Sequence, residues 1–157
     1  MNDQWFTGSG YEIEFSEILL LIKNHIEDSG KIFIGTDSFL SGNNCIFAKA
    51  ICLHMGENQP GGRYFIQRTR CKSKPFKALA VRMLAEVERT VNLALSISEV
   101  YEDAPIEIHI DVSSSSSMAK TAQYSEMITG YAKSSGFSYK VKPHSWASSS
   151  VADKHSK

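Results

Sequence analysis

Four acidic positions in this chain have the types and the placing to do chemistry together. Asp37 follows the apolar, β-favouring run Ile32, Phe33, Ile34 in KIFIGTDSFL; Asp111 closes the alternating segment IEIHIDV; Asp153 lies in the ending SSSVADKHSK; and Glu86 or Glu88 falls within MLAEVER. A carboxylate on a buried strand is costly unless a cation, hydrogen-bond donors or a proton meets it. Four carboxylates converging without matching bases repel one another, and they stay ionised together only when a divalent cation neutralises them. Hard oxygen ligands with no Cys or His among them select Mg²⁺ or Mn²⁺. Two such ions about 3.5–4 Å apart activate a water and steady the leaving oxygen of a phosphodiester.

Each acid also has a plainer account. Asp37 and Asp111 could be turn residues satisfied by nearby backbone amides. Asp153, three residues after Ser150, could complete a capping box or favour a helix dipole. Glu86 could be a solvated helix acid. What sets the four apart is their order along the chain relative to the elements that must position them.

Those elements follow from hydrophobic spacing. WFTGSGY reads as an irregular lead-in, and Phe15, Ile18, Leu19, Ile22 and Ile26 then recur at helical intervals up to Gly30. Lys31–Phe39 reads as a first strand, Cys45–His54 as a second after the LSGNN turn, and Arg63 to about Cys71 as a third after GENQPGG. Ser73 and Pro75 announce a helix whose apolar positions Phe76, Ala80, Met83, Leu84, Val87, Val91 and Leu95 share one face to about Ser98. IEIHIDV is the fourth strand. Five serines, Ser113 to Ser117, precede an expected helix from Ala119 to Ser134; FSYKVKP is a fifth short strand; and a last helix is expected to be capped by one of Ser148 to Ser150. Strands on short turns pair antiparallel, and strands that follow helices can pair parallel through right-handed crossovers. The expectation is an α/β fold: a mixed five-stranded sheet flanked by helices, with an extra N-terminal helix. If strands one and four are neighbours, Asp37 and Asp111 meet near the middle of that sheet.

With 157 residues the chain fits one domain, 1–157, with 1–11 as the lead-in. Seventeen basic residues offset seventeen acidic ones, so a grip on a polyanion must come from local clustering. Apolar runs such as Ile18 to Ile22 fall far short of the roughly 20 residues that span a bilayer, and MNDQWF lacks a signal pattern, which points to a cytoplasmic protein without a membrane partner. Cys45, Cys52 and Cys71 form no CxxC pair and read as reduced, packed thiols.

Local clustering does occur. Arg68, Arg70 and Lys72 alternate along strand three and leave one face of the sheet as a basic row, with Lys74 and Lys77 following. Such a row positions phosphates without reading sequence; the same row would also protect an edge strand from aggregation. Trp146 and Phe137 are aromatic surfaces suited either to base stacking or to packing. His109 alternates with the isoleucines of its strand and points with Glu107 and Asp111.

IGTDS near the start, the glycine-rich GGRYF and the ending GFSYKVKPHSWASSSVADKHSK resemble the YkuK type of ribonuclease H-related proteins within the ribonuclease H-like superfamily. The resemblance covers about residues 12–157. It implies a sheet in the order 3-2-1-4-5 with strand two antiparallel to the rest, and a two-metal nuclease site. Asp37 then matches the strand-one acid, Asp111 the strand-four acid and Asp153 the acid of the final helix. Glu86 and Glu88 flank the apolar stripe on opposite sides, so periodicity does not choose between them; the local pattern MLAEV favours Glu86. His144 falls in the loop where some ribonucleases H carry a proton-transferring histidine, although YkuK-type sequences often have an acid there.

The leading function is therefore a metal-dependent nuclease acting on an RNA–DNA hybrid, RNA or structured DNA. A second is a non-catalytic nucleic-acid or protein-binding module with an incomplete site, distinguished by whether the helical acid reaches the others. A serine hydrolase, suggested by the many serines with His144 and Asp153, lacks a GxSxG elbow.

Overall fold

The computed structural model describes residues 4–55, 62–113 and 123–157. Its elements run β1 (Trp5–Thr7), β2 (Glu12–Ile13), α1 (Phe15–Glu27), β3 (Lys31–Ser41), β4 (Asn44–His54), β5 (Arg63–Lys72), a 3-10 turn (Lys74–Phe76), α2 (Leu79–Val100), β6 (Ile106–His109), α3 (Ser125–Ser134), β7 (Ser138–Lys140), a π-helical turn (Ala147–Ala152) and α4 (Asp153–Ser156).

One mixed sheet has the order β2-β1-β5-β4-β3-β6-β7. Its inner five strands follow the expected 3-2-1-4-5 order. β4 runs antiparallel to β3 and β5, while β6 is parallel to β3 and to β7.

The two outer strands correct the reading of the lead-in as irregular. Trp5–Thr7 pairs with Phe65–Gln67, and Trp5 stacks on Phe15 of α1 at a centroid distance of 5.9 Å. Strands of three and two residues are too short to show an alternation; they are held by neighbours distant in sequence. The same pairing corrects the expectation that strand three is an edge. β1 covers Phe65–Gln67 only, so no residue of β1 lies opposite Arg68–Lys72.

The faces of the sheet are distinguished by their side chains. On one, Ile32, Ile34, Ile51, Phe65, Ile106 and Ile108 pack beneath α1, α2 and α3, which contribute Ile18, Ile22, Val87, Val91, Ile97 and Ile128. Removing each such side chain from water stabilises the fold by about 1.5–3 kcal/mol. The other face is smaller: Phe33, Ala50, Cys52 and Ile66 meet Ala147 and Ala152 of the C-terminal helical run. That run can lie so close because β3 has Gly35 beneath it; a Cβ there would come within 2.5 Å of the Ser148 amide nitrogen.

Three further boundaries differ from expectation. The helix after strand three begins at Leu79, the Lys74–Phe76 turn standing apart from it. Strand four ends at His109, two residues before Asp111. The last helical run starts at Ala147, without a side-chain cap from Ser148, Ser149 or Ser150: the hydroxyls of Ser148 and Ser149 both donate to the Ser145 carbonyl, and Asp153 therefore lies well inside the run. α3 is described from Ser125; most of the serine run, with its expected helix start at Ala119, lies outside the described residues, as does most of the GENQPGG connection. Cys45, Cys52 and Cys71 are free thiols. Among the described residues no helix is long and apolar enough to cross a membrane.

Candidate functional site

Asp37 is 6% exposed on β3, on the face that carries the C-terminal helical run. Ser156, from the end of that run, donates from Oγ to Asp37 Oδ2 at 2.8 Å. Burial pushes the Asp37 carboxyl up to about 7; the Ser156 donor opposes this, and the nearby Asp111 and Asp153 carboxylates add to it. A side-chain contact with Asp111 raises the Asp37 carboxyl a little further.

Asp111 stands just beyond β6, where the parallel register Gly35–His109 carries it alongside Asp37. Lys142, from the loop after β7, brings Nζ to 2.9 Å from Asp111 Oδ1. That approach has ion-pair distance without hydrogen-bond geometry, and among the described residues this buried oxygen has no hydrogen-bond partner. Lys142 offsets the charge of Asp111 but fills no acceptor site on this oxygen.

Glu86 reaches the same region from the helix-covered side. The Ser38 hydroxyl donates to Glu86 Oε2, and Ser38 is the residue after Asp37. Burial pushes the Glu86 carboxyl well above the ordinary carboxylate range; the Ser38 donor lowers it, and the charges of Asp37 and Asp111 raise it. Glu88 is exposed. Asp153, with its side chain 38% exposed, is paired one helical turn on with Lys157, Nζ to Oδ1 2.8 Å.

The oxygen-only donor set suits a hard divalent cation. The raised carboxyls of Asp37 and Glu86 are what such a set shows when its negative charge is under-compensated. The four side chains are not, however, drawn around one point: among the described residues no three His, Cys, Asp or Glu are grouped to hold a metal ion. Glu86 is turned to Ser38 and Asp153 to Lys157.

The basic row lies on the face of Asp37. Arg68 is opposite Ala48, and Ala48 is opposite Asp37, so the three form one cross-strand row spanning about 10 Å at the usual strand spacing. Arg68, Arg70, Lys72 and Lys74 are all exposed.

His144 is exposed and lines a separate cavity with Phe33, His54, Glu107, Lys140 and Trp146. Trp146 packs on Phe33 at 4.9 Å between ring centroids, and Phe137 packs against the main core. His109 does turn toward Glu107, Nε2 to Oε2 2.7 Å, and its Nδ1 accepts the Ala147 amide. Burial pushes its imidazole down, against the pull of Glu107.

Sequence reasoning missed Ser38, Ser156, Lys142 and Lys157. Ser38 and Lys157 had a local signal, one adjoining Asp37 and the other four residues after Asp153. Ser156 and Lys142 act across the fold, with no local signal.

The sheet order and the helices on its faces are those of a ribonuclease H-like fold. Residues 14–157 match the family model described as Ribonuclease H-like, and the chain belongs to that family. No curated protein and no solved structure matches it.

Proposed function

We propose that this protein hydrolyses phosphodiester bonds in nucleic acid with the help of divalent cations. The observation that carries the reading is Asp37: a buried carboxyl raised to about 7 beside Asp111 and within the field of Asp153, on an oxygen-only site. Asp37, Asp111, Glu86 and Asp153 would hold Mg²⁺ or Mn²⁺. When bound, the cations supply an activated water and neutralise charge on the leaving oxygen.

The chain's own residues do the rest. Ser156 fixes the orientation of Asp37, and Lys142 offsets charge at Asp111. Arg68, Arg70, Lys72 and Lys74 hold the phosphates of a strand lying across the face. His144, two residues from Lys142, brings the side-chain type suited to proton transfer near neutrality. An RNA–DNA hybrid, RNA and structured DNA are the substrates to compare.

A second reading is a nucleic-acid-binding module without catalysis. It is favoured by the pairing of Glu86 with Ser38 and of Asp153 with Lys157, which leaves no three acids grouped for a metal among the described residues.

One experiment separates the two: cleavage of labelled hybrid, single-stranded RNA, single- and double-stranded DNA and a branched junction, with Mg²⁺, Mn²⁺ or chelator, for wild type and Asp37→Asn. Metal-dependent cutting that is lost in the variant supports the nuclease. Retention of every substrate without cutting, unaffected by metal, supports the module.

A further inference from the structure

The cavity beside Trp146 is separate from the four acids, and the proposed chemistry makes no use of it beyond His144. Its volume is about 490 Å³, within the range of about 300–1,000 Å³ typical of small-ligand sites. Phe33, His54 and Trp146 supply aromatic walls, with centroids 4.9 Å apart for Phe33 and Trp146 and 5.8 Å for His54 and Trp146. One carboxylate, Glu107, and one exposed ammonium, Lys140, complete the lining with His144. Flat apolar walls with a few polar groups suit a planar heteroaromatic ring.

The polar groups narrow the choice. The Ala147 amide donates to His109 Nδ1 at 3.0 Å, which places the imidazole proton on Nε2 and makes His109 the donor to Glu107 Oε2. His109 is 1% exposed, so this bond is shielded and holds the carboxylate in place. Glu107 thus faces the cavity as an acceptor. Among nucleobases, guanine alone offers a carboxylate two adjacent donors, N1–H and N2–H; adenine and cytosine each offer one amino group, and uracil one imide N–H. Guanine O6 is the acceptor that Lys140 would meet.

The cavity is also placed to receive a base of a strand running to the acids. Phe33 and Asp37 lie four residues apart on β3, with their side chains on the same face, roughly 13 Å along the strand. The C-terminal helical run packs over Gly35 between them, so a strand that reaches both places passes around that run. The C-terminal helical run joins both places, with Trp146 at its start and Ser156 at its end.

We propose that this cavity binds a guanine base, stacked against Trp146 and held through its Watson–Crick edge by Glu107, so that the protein engages its nucleic acid next to a guanosine. The assignment rests on the nucleic-acid reading above, and it deepens that reading by naming a base.

The test uses mononucleotides in chelator, where cleavage and metal play no part. The full chain carrying Trp5→Phe leaves Trp146 as its only indole; its fluorescence is titrated with GMP, AMP, CMP and UMP. GMP should bind about tenfold or more tighter than the others, the discrimination expected of one bidentate base contact. Glu107→Gln can still accept the His109 N–H through its amide oxygen, and it should abolish the preference for GMP while thermal melting stays near the parent's. Lys140→Ala should weaken GMP while leaving AMP unchanged. Equal affinity for all four nucleotides, no binding of any, or a GMP preference that survives Glu107→Gln would each overturn the proposal. Because the titration contains no metal, metal-dependent cleavage without GMP binding would remove the guanine site and keep the nuclease. GMP binding without cleavage would do the reverse.

Discussion

Ser156 and Asp37 are 119 residues apart in sequence and joined by a 2.8 Å hydrogen bond from Oγ to Oδ2. Both side chains are buried, at 0% and 6% exposure, so water does not compete for the contact. It is the polar tie between the end of the chain and the central strand. It also makes the last helix a part of the candidate site, beyond the placing of Asp153.

Removing that donor should act on Asp37 directly. Ser156→Ala deletes the strongest influence that lowers the Asp37 carboxyl, so its titration midpoint should move upward from about 7. Loss of a buried bond to a charged group should also cost about 1–3 kcal/mol of stability above that midpoint. Carbon NMR titration of the Asp37 carboxyl, paired with urea unfolding at pH 8, measures both. An unmoved midpoint would show that another donor holds Asp37.

The raised carboxyl of Asp37 sets the direction of a pH effect. Its folded value of about 7 lies above the ordinary 3.8, so between these values the native state binds more protons than the unfolded one. Stability from this group is therefore full below about pH 4, and it declines as pH rises toward 7. Asp37→Asn removes the titration, and Asn can still accept from Ser156. In chelator the variant should be more stable than wild type at pH 8, on the order of a few kcal/mol, with the advantage shrinking toward pH 4. Urea unfolding across that range tests this, and a constant difference would rule out the assignment. Added Mn²⁺ should raise the stability of wild type at pH 8 and leave the variant unchanged.

These relations mark how far the sequence could be read. Asp37 stood out because a carboxylate continuing an Ile-Phe-Ile run has few ordinary reasons to be there; the turns and helices indicated which strands could pair antiparallel or parallel, and the inner strand order came from the family resemblance. The β1–β2 hairpin was invisible because its strands are too short for a periodic signal and depend on Phe65–Gln67 and Phe15. The three serines before Val151 read as a cap. A cap is judged from local sequence, whereas here Gly35 seats the helix one turn early by admitting the Ser148 backbone. Glu86 and Glu88 were equivalent by periodicity, with only the local pattern MLAEV favouring Glu86; the exposure of Glu88 and the position of Ser38 across the packed interface distinguish them.

The basic row gives a prediction about salt. Arg68 and Arg70 are exposed on the face of Asp37, in a half of β5 that β1 does not pair. If they hold phosphates, Arg68→Ala and Arg70→Ala should each weaken nucleic-acid binding by a similar factor for all sequences, and each should reduce the slope of log K against log salt by about 1. Fluorescence anisotropy over a range of KCl concentrations gives the slopes. Unchanged slopes with lowered solubility would mean that the row serves only to protect the exposed part of the strand.

The close approach at Gly35 tests whether the helix governs the acid site from a distance. A Cβ at this position would meet Ser148 N at 2.5 Å, Ala147 C at 2.7 Å and Ser148 Cα at 2.9 Å, all backbone atoms that no rotamer change can move aside. Gly35→Ala must therefore lift the helical run from the sheet or bend β3, at a cost of about 1–3 kcal/mol. Lifting the run withdraws Ser156 from Asp37, although Gly35 bonds to neither side chain. The expected result is a lower melting temperature together with the same upward shift of the Asp37 titration as in Ser156→Ala. A lower melting temperature with Asp37 unmoved would locate the strain in β3 and leave the last helix seated.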